Sequence, residues 1–344
     1  MTAMGLTCPK CGATFPDGLL ACPGCGKLIH SERLKALARE AAEAEGEGDP
    51  SRELAAWRTA SSLLPAGSAQ RLQVDARIRD LVREIDRPGA PALPPKSGGK
   101  SGRSGATAGL TAVGLLLWKM KGFALLVLGK LKFLILGLSK AQTLLSMLLT
   151  MGIYVMAWGV KFAVGFVLSI YVHEMGHVAA LRRYGIAATA PMFIPGFGAY
   201  VRLHQYPASP AEDARVGLAG PLWGLGAALF CAAVHFLGGG PIWGALARSG
   251  AYLNLFNLVP VWQLDGARGF HAVAQRERWV LAGLTGAAWI VTHESMLVFI
   301  LAGMGYRLYQ RDAPARTDAR ALAEFAFLLC TLSALCLIEV LVPR

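Results

Sequence analysis

Apolar positions along this chain fall into two regimes. Over residues 31–86, alanine and leucine recur at three- and four-residue spacing, with breaks at Gly46 to Pro50 and at Pro65-Ala66-Gly67. That pattern predicts three short helices. From Gly109 onward the apolar residues run together over lengths suited to crossing a bilayer. Residues 108–140 are leucine-rich but carry Lys119, Lys121, Lys130, Lys132 and Lys140. Charge that frequent is costly in mid-bilayer, so this stretch reads as an amphipathic interfacial segment with snorkelling lysines. Residues 141–184 suffice for two closely joined spans, broken near Trp158 to Lys161; further spans are expected over 211–237, 242–264 and 321–342. The apolar stretches 279–291 and 295–309 flank His293-Glu294. They form either one long helix or a hairpin, and the hairpin is preferred because it buries no charge. Residues 189–202 alternate proline, glycine and aromatic or β-branched residues, as in a bent β-hairpin, a re-entrant loop or an ordinary connection between spans.

Composition assigns the class. With 344 residues, 54% hydrophobic and 16% charged, and a mean hydropathy of +0.44, the chain is too apolar for a soluble enzyme. The expected fold is an α-helical polytopic membrane protein preceded by a soluble N-terminal part. The net charge of +12 resides largely at the ends of apolar runs, where it reads as a topology signal, and no nucleic-acid partner is expected. Residues 1–26 show no apolar signal-peptide core, so the N-terminus is expected in the cytosol. Two spans then return the chain to the cytosol at Arg182-Arg183, in agreement with the charge rule. A bacterial plasma membrane is the expected location. Residues 87–107 are rich in proline, glycine and serine and include Lys96, Lys100 and Arg103; they read as a flexible basic linker.

Chemistry concentrates in two places. Cys8-Pro9-Lys10-Cys11-Gly12 and Cys22-Pro23-Gly24-Cys25-Gly26 are two C-P-x-C-G knuckles. They predict a structural Cys₄ zinc ribbon over residues 1–30, because a module this small cannot fold on its apolar area alone. The other three of the seven cysteines, Cys231, Cys330 and Cys336, lie in apolar runs as small hydrophobes, and no disulfide is expected. The single unit resembling a tetratricopeptide pair, within residues 31–86, reads either as a docking surface for a cytosolic partner or as a small bundle packed on its own third helix.

The second place is His173-Glu174-Met175-Gly176-His177. On a helix, residues four apart share a face, so both imidazoles can hold one zinc with Glu174 beside the open position. By chance this pattern should occur in roughly one chain of this length in a hundred. Its apolar flanks add weight: at 1.5 Å per residue His177 lies about 8 Å from Arg182 along the axis, inside the bilayer near one face. Asp265 closes an apolar segment beside Pro260 and is the candidate third ligand.

Taken together, these residues resemble the site-2 protease family of intramembrane zinc metalloproteases. The resemblance covers residues 171–266. It rests on His173-Glu174-x-x-His177, on Gly220-Pro221, and on Asn257-x-x-Pro260-x-x-x-x-Asp265-Gly266. It implies that His173, His177 and Asp265 bind catalytic zinc, that Glu174 is the general base, and that Asn257 lies near the substrate backbone or oxyanion. The family's frequent asparagine shortly after the Gly-Pro is absent, Trp223 and Gly224 standing there. No PDZ-like insertion separates the motifs, which argues against the subgroup that senses unfolded periplasmic proteins.

The expected organisation is therefore a zinc ribbon (1–30), a helical module (31–86), a linker (87–107), an interfacial segment (108–140) and a membrane-embedded metalloprotease domain (141–344), with one structural and one catalytic zinc. The expected reaction is hydrolysis of a peptide bond in or near a transmembrane segment of a membrane protein. Two other classes compete. A catalytically silent scaffold would recruit cytosolic partners through the N-terminal module, and a metal transporter would use the same histidines and aspartate as an ion path. The intact set of four catalytic-type residues weighs against the first. The position near one face weighs against the second.

Overall fold

The computed structural model describes residues 6–16, 19–87, 148, 151–187, 192–194, 198–200 and 207–340. The expected interfacial segment over 108–140 and nearly all of the linker lie outside the described residues. What is described is mostly helical, with two small antiparallel β-pairs.

At the N-terminus, β1 (Leu6–Thr7) pairs with β2 (Thr14–Phe15). The two knuckles repeat one backbone pattern: the Gly12 amide donates to the Cys8 carbonyl and the Gly26 amide to the Cys22 carbonyl, each at 2.9 Å. Both glycines have positive φ, +72° and +69°, where a Cβ would be strained.

Three helices follow, as the periodicity predicts: α1 (Ser31–Glu47), α2 (Pro50–Ser62) and α3 (Ala69–Ile85). Gly48 ends α1 in the left-handed region, and Asp49 caps α2 by accepting from the Arg52 amide, with Pro50 at the first helical position. Leu37 and Ala41 of α1 pack on Ala56 and Ala60 of α2. The opposite apolar face, formed by Leu54, Ile78, Leu81, Val82 and Ile85, packs against Leu181, Tyr184, Ile186 and Val216. The helical module thus buries its exposed face within this same chain, on the membrane domain as well as on its own third helix.

Residues 151–158 are helical, and Gly159, at φ +81°, breaks them from α4 (Val160–Arg183). The chain then passes through the hairpin β3 (Met192–Ile194) and β4 (Gly198–Tyr200), paired Met192 to Tyr200 and Ile194 to Gly198, and β4 touches α4. Next is α5 (Pro210–Val234), capped by Ser209 and extended by a π turn at His235–Gly239. Pro221 offers no amide to the carbonyl four residues back, yet α5 continues through it, so the Gly-Pro pair does not end this helix. Then come α6 (Pro241–Asn257), α7 (Asp265–His271), α8 (Gln275–Thr292), α9 (Met296–Gln310) and α10 (Ala319–Leu335). The preferred hairpin over 279–309 is present, with His293 turning the chain at φ 54°. Among the described residues, Val160–Arg183 and Pro210–Gly239 are long and apolar enough to cross a membrane.

The core lies between α5 and the later helices, where Leu218, Leu255, Leu258, Phe270, Leu297, Ile300, Met304 and Phe325 are buried together. Arg278, with 0% exposure, locks one corner of it. Its guanidinium donates to the carbonyls of Val273 and Phe270 and to Asp312, and lies 4.9 Å over the Phe270 ring. The connection into α10 is held by Asp318, which accepts from Arg215 at 2.7 and 3.0 Å and from the Ala321 amide.

Burial pushes the Asp318 carboxyl up, but the Arg215 hydrogen bond and the Ala321 amide outweigh it, and the carboxyl is held below its ordinary value. A lowered folded-state value stabilises fully above the unfolded value of about 4, and that contribution is lost as pH falls through the folded value. Thermal unfolding in detergent should therefore show a midpoint that drops below about pH 4. Asp318→Asn, which retains a capping oxygen, should lower the neutral-pH midpoint and flatten this acid limb.

Candidate metal centre

The two histidines come from α4 and the carboxylate from the first residue of α7, and α5 lies against both helices. His173 Nε2 is 3.1 Å from Asp265 Oδ2, His177 Nε2 is 3.2 Å from Asp265 Oδ1, and the two Nε2 atoms are 3.2 Å apart. A tetrahedral zinc with bonds of about 2.0–2.1 Å sets its ligand atoms about 3.3 Å apart. Each Asp265 oxygen reaches one of the two imidazoles, so the cluster is compact enough to close on such an ion, and its donor set of two imidazoles and one carboxylate suits zinc. Glu174 is buried one residue from His173.

Each imidazole is fixed from behind. His173 Nδ1 donates to Asn254 Oδ1 at 2.8 Å, and His177 Nδ1 donates to the Val216 carbonyl at 2.8 Å. With both Nδ1 atoms protonated, both Nε2 lone pairs face the triangle, the tautomer a metal ligand requires. Asn254 has 0% exposure, and its amide nitrogen donates to the Gly250 carbonyl at 2.7 Å, which fixes which way the carboxamide points.

Glycines on one face of α5 make room for this arrangement. A Cβ on Gly220 would lie 2.2 Å from His177 Nε2 and 2.8 Å from His173 Nε2, inside the ligand triangle. On Gly224 it would lie 2.2 Å from Asn254 Oδ1, and on Gly217 it would lie 2.6 Å from Arg268 Cβ and 3.0 Å from the Asp265 carbonyl. Gly176 performs the reciprocal service on α4, since its Cβ would meet the Ala219 carbonyl at 2.3 Å. Gly266 lets the start of α7 touch the end of α6, its Cβ position lying 2.0 Å from the Leu258 carbonyl. Between α6 and α7, Trp262 is left-handed at φ 53° and 89% exposed, turning the chain so that Asp265 enters α7 at its first residue. Arg268 pairs with Asp213 at 2.7 Å and ties α7 back to α5.

Sequence reasoning thus nominates the three residues that meet in the triangle, with Glu174 adjacent. It assigns Asn257, which is half-buried at the end of α6, and misses Asn254 three residues earlier. The one available signal is an asparagine midway along the apolar run 242–264, where an unpaired carboxamide is costly.

In the N-terminal module, Cys8 Sγ and Cys25 Sγ are 3.7 Å apart and Cys11 Sγ and Cys22 Sγ 3.5 Å apart, close to the roughly 3.8 Å edges of a tetrahedral zinc–thiolate site. The described residues hold all seven cysteines free of disulfides.

Residues 161–241 match Peptidase family M50. The chain is 28% identical over 152 residues to the zinc metalloprotease MJ0392 of Methanocaldococcus jannaschii, a match that covers 43% of each chain. The chain therefore spans less than half the length of the curated relative it matches. No solved structure matches. The family match and the relative bear out the resemblance to site-2 proteases.

Two substitutions probe the centre from opposite sides. Gly220→Ala should abolish binding at this triangle while leaving the ribbon's zinc in place, measured as metal per chain. Asn254→Leu should weaken the same site by roughly 10- to 100-fold in chelator competition, the usual cost of losing a group that orients a ligand.

Proposed function

We propose that this chain, whose residues 161–241 match Peptidase family M50, is an intramembrane zinc metalloprotease that hydrolyses a peptide bond in or near a transmembrane segment of a membrane protein. The observation that carries the reading is the cluster of His173, His177 and Asp265, in which the two Nε2 atoms and the two carboxylate oxygens make contacts of 3.1–3.2 Å, beside the buried Glu174. Zinc held there supplies Lewis-acid chemistry, polarising a peptide carbonyl and making water acidic enough to react near neutral pH. Glu174 takes the proton from the attacking water and delivers it to the leaving amine. His173 and His177 keep their Nε2 lone pairs directed inward because Asn254 and the Val216 carbonyl hold the opposite nitrogens. Asn257 is assigned to the substrate backbone or oxyanion, on the strength of its place in the motif that ends at Asp265.

The membrane reading is multi-pass. Val160–Arg183 and Pro210–Gly239 supply two spans, and α6, α8, α9 and α10 supply shorter apolar helices around them. The charge rule sets the N-terminal module and Arg182-Arg183 on the cytosolic side of a bacterial plasma membrane. A transmembrane substrate must unwind to expose its backbone, because a helix shields its own peptide bonds. The β3–β4 hairpin, in contact with α4, offers a strand edge on which such a segment can be held extended.

The silent-scaffold alternative is separated from catalysis by one variant. In lipid vesicles containing the protease and a panel of single-pass helices, Glu174→Gln should abolish cleavage, a loss of at least about 100-fold for a general base. It should leave zinc content unchanged. Cleavage persisting in Glu174→Gln, or no cleavage by the intact chain, would remove the proposal.

A further inference from the structure

The helical module does not hang from the membrane domain on its linker. Its α2 and α3 close over the turn that ends α4 and the turn that begins α5. The Ser51 hydroxyl donates to the Arg183 carbonyl at 2.8 Å, and Arg58 Nε donates to the Tyr184 carbonyl at 2.9 Å, so two carbonyls left open at the end of α4 are satisfied by α2. In return, Arg183 Nη2 donates to the Ile85 carbonyl at the end of α3, at 2.6 Å, and the Tyr184 hydroxyl donates to Asp86. The approach is backbone to backbone: Gly185 is left-handed at φ +58°, and a Cβ there would lie 2.6 Å from the Ala55 nitrogen.

The strongest link runs to α5. Glu212, in its first turn, is fully buried and paired with Arg58, whose side chain is 5% exposed. The second carboxylate oxygen accepts from the Ala208 amide at 2.7 Å. One helical turn beyond Glu212 is Val216. Its side chain packs with Leu54 and Val82 of the module, and its carbonyl accepts from His177 Nδ1. The backbone of α4 and the carbonyl of α5 together determine how the His177 ring stands, and the same three-helix module grips both.

We propose that Arg58 is a positioning residue for the zinc site: by compensating the buried Glu212 it docks the helical module on α4 and α5 and thereby fixes the Val216 carbonyl that orients His177. This inference rests on the metalloprotease reading of that site. A buried carboxylate without its partner draws water or a proton, and its segment shifts to reach them. Loss of Arg58 therefore loosens the first turns of α5. Replacing both members with apolar residues removes the charge and leaves the packing.

The test is zinc retention by the full-length protein in detergent under a rising concentration of a chelator, counted per chain alongside a melting curve. The ribbon zinc serves as internal control. Wild type should hold two zincs. Arg58→Met should lose one of them at roughly 10- to 100-fold lower chelator concentration. The paired Arg58→Met, Glu212→Leu variant should regain most of that retention, short of wild type because the Tyr184 carbonyl stays without its donor. Metal loss compared at matched melting midpoints is the readout that separates positioning from mere stability. If Arg58→Met fails to fold, Ser51→Ala, which deletes only the hydroxyl on the Arg183 carbonyl, should still show a several-fold easier loss of one zinc. Arg58→Met holding both zincs like wild type would overturn the proposal, as would a paired variant that regains the melting curve without regaining the metal. A wild-type chain that holds only the ribbon zinc would instead overturn the metal-site reading itself, and the coupling with it.

Discussion

Everything in the membrane domain depends on how closely α5 can approach its neighbours. Two imidazoles and a carboxylate from two helices come within 3.1–3.2 Å of one another only if no carbon stands between them, and Gly217, Gly220 and Gly224 leave that space on one face of α5. Gly176 does the same from α4. In lipid there is little hydrophobic gain from bringing helices together, so contact is made by backbones close enough to pack, and small residues decide where that happens. The Gly-Pro pair is thus explained by space at Gly220 and not by a broken helix at Pro221.

A second constraint follows from the first. Polar groups drawn into this apolar interior are costly without partners, and three of them are held by fixed ones. Asn254 is held by His173 and Gly250, Arg278 by three carbonyls and Asp312, and Glu212 by Arg58 and the Ala208 amide. Such pairs add little net stability over apolar replacements, but removing one partner strands the other in the interior. They turn the His173 ring inward, hold α8 on the end of α7, and seat the N-terminal helical module on α4 and α5. Specificity of geometry is what a metal centre requires, since a ligand displaced by an ångström no longer binds.

Much of this was legible along the chain. The period of alanine and leucine over residues 31–86 gives three helices, because an amphipathic face is a local property of spacing. The polar pair His293-Glu294 gives a hairpin for the same reason: its position between two short apolar runs makes the turn cheaper than burial. The two knuckles and the H-E-x-x-H are short enough to carry their geometry in their spacing, and Asp265 stands out as a charge closing an apolar run.

What the chain could not show on its own is which distant residues meet. Asn254 is three positions from the asparagine nominated by motif, and only the packing of α6 on α4, through the gap at Gly224, brings its carboxamide to His173. Arg58 and Glu212 are 154 positions apart, and no local pattern relates them. Spacing, charge and hydropathy are one-dimensional, so they suffice for the helices, the ligand types and the chemistry those can support. Tertiary structure alone decided which carbonyl and which carboxamide orient the two histidines, and that the N-terminal module is built onto the turns beside them, because those are distances across the fold.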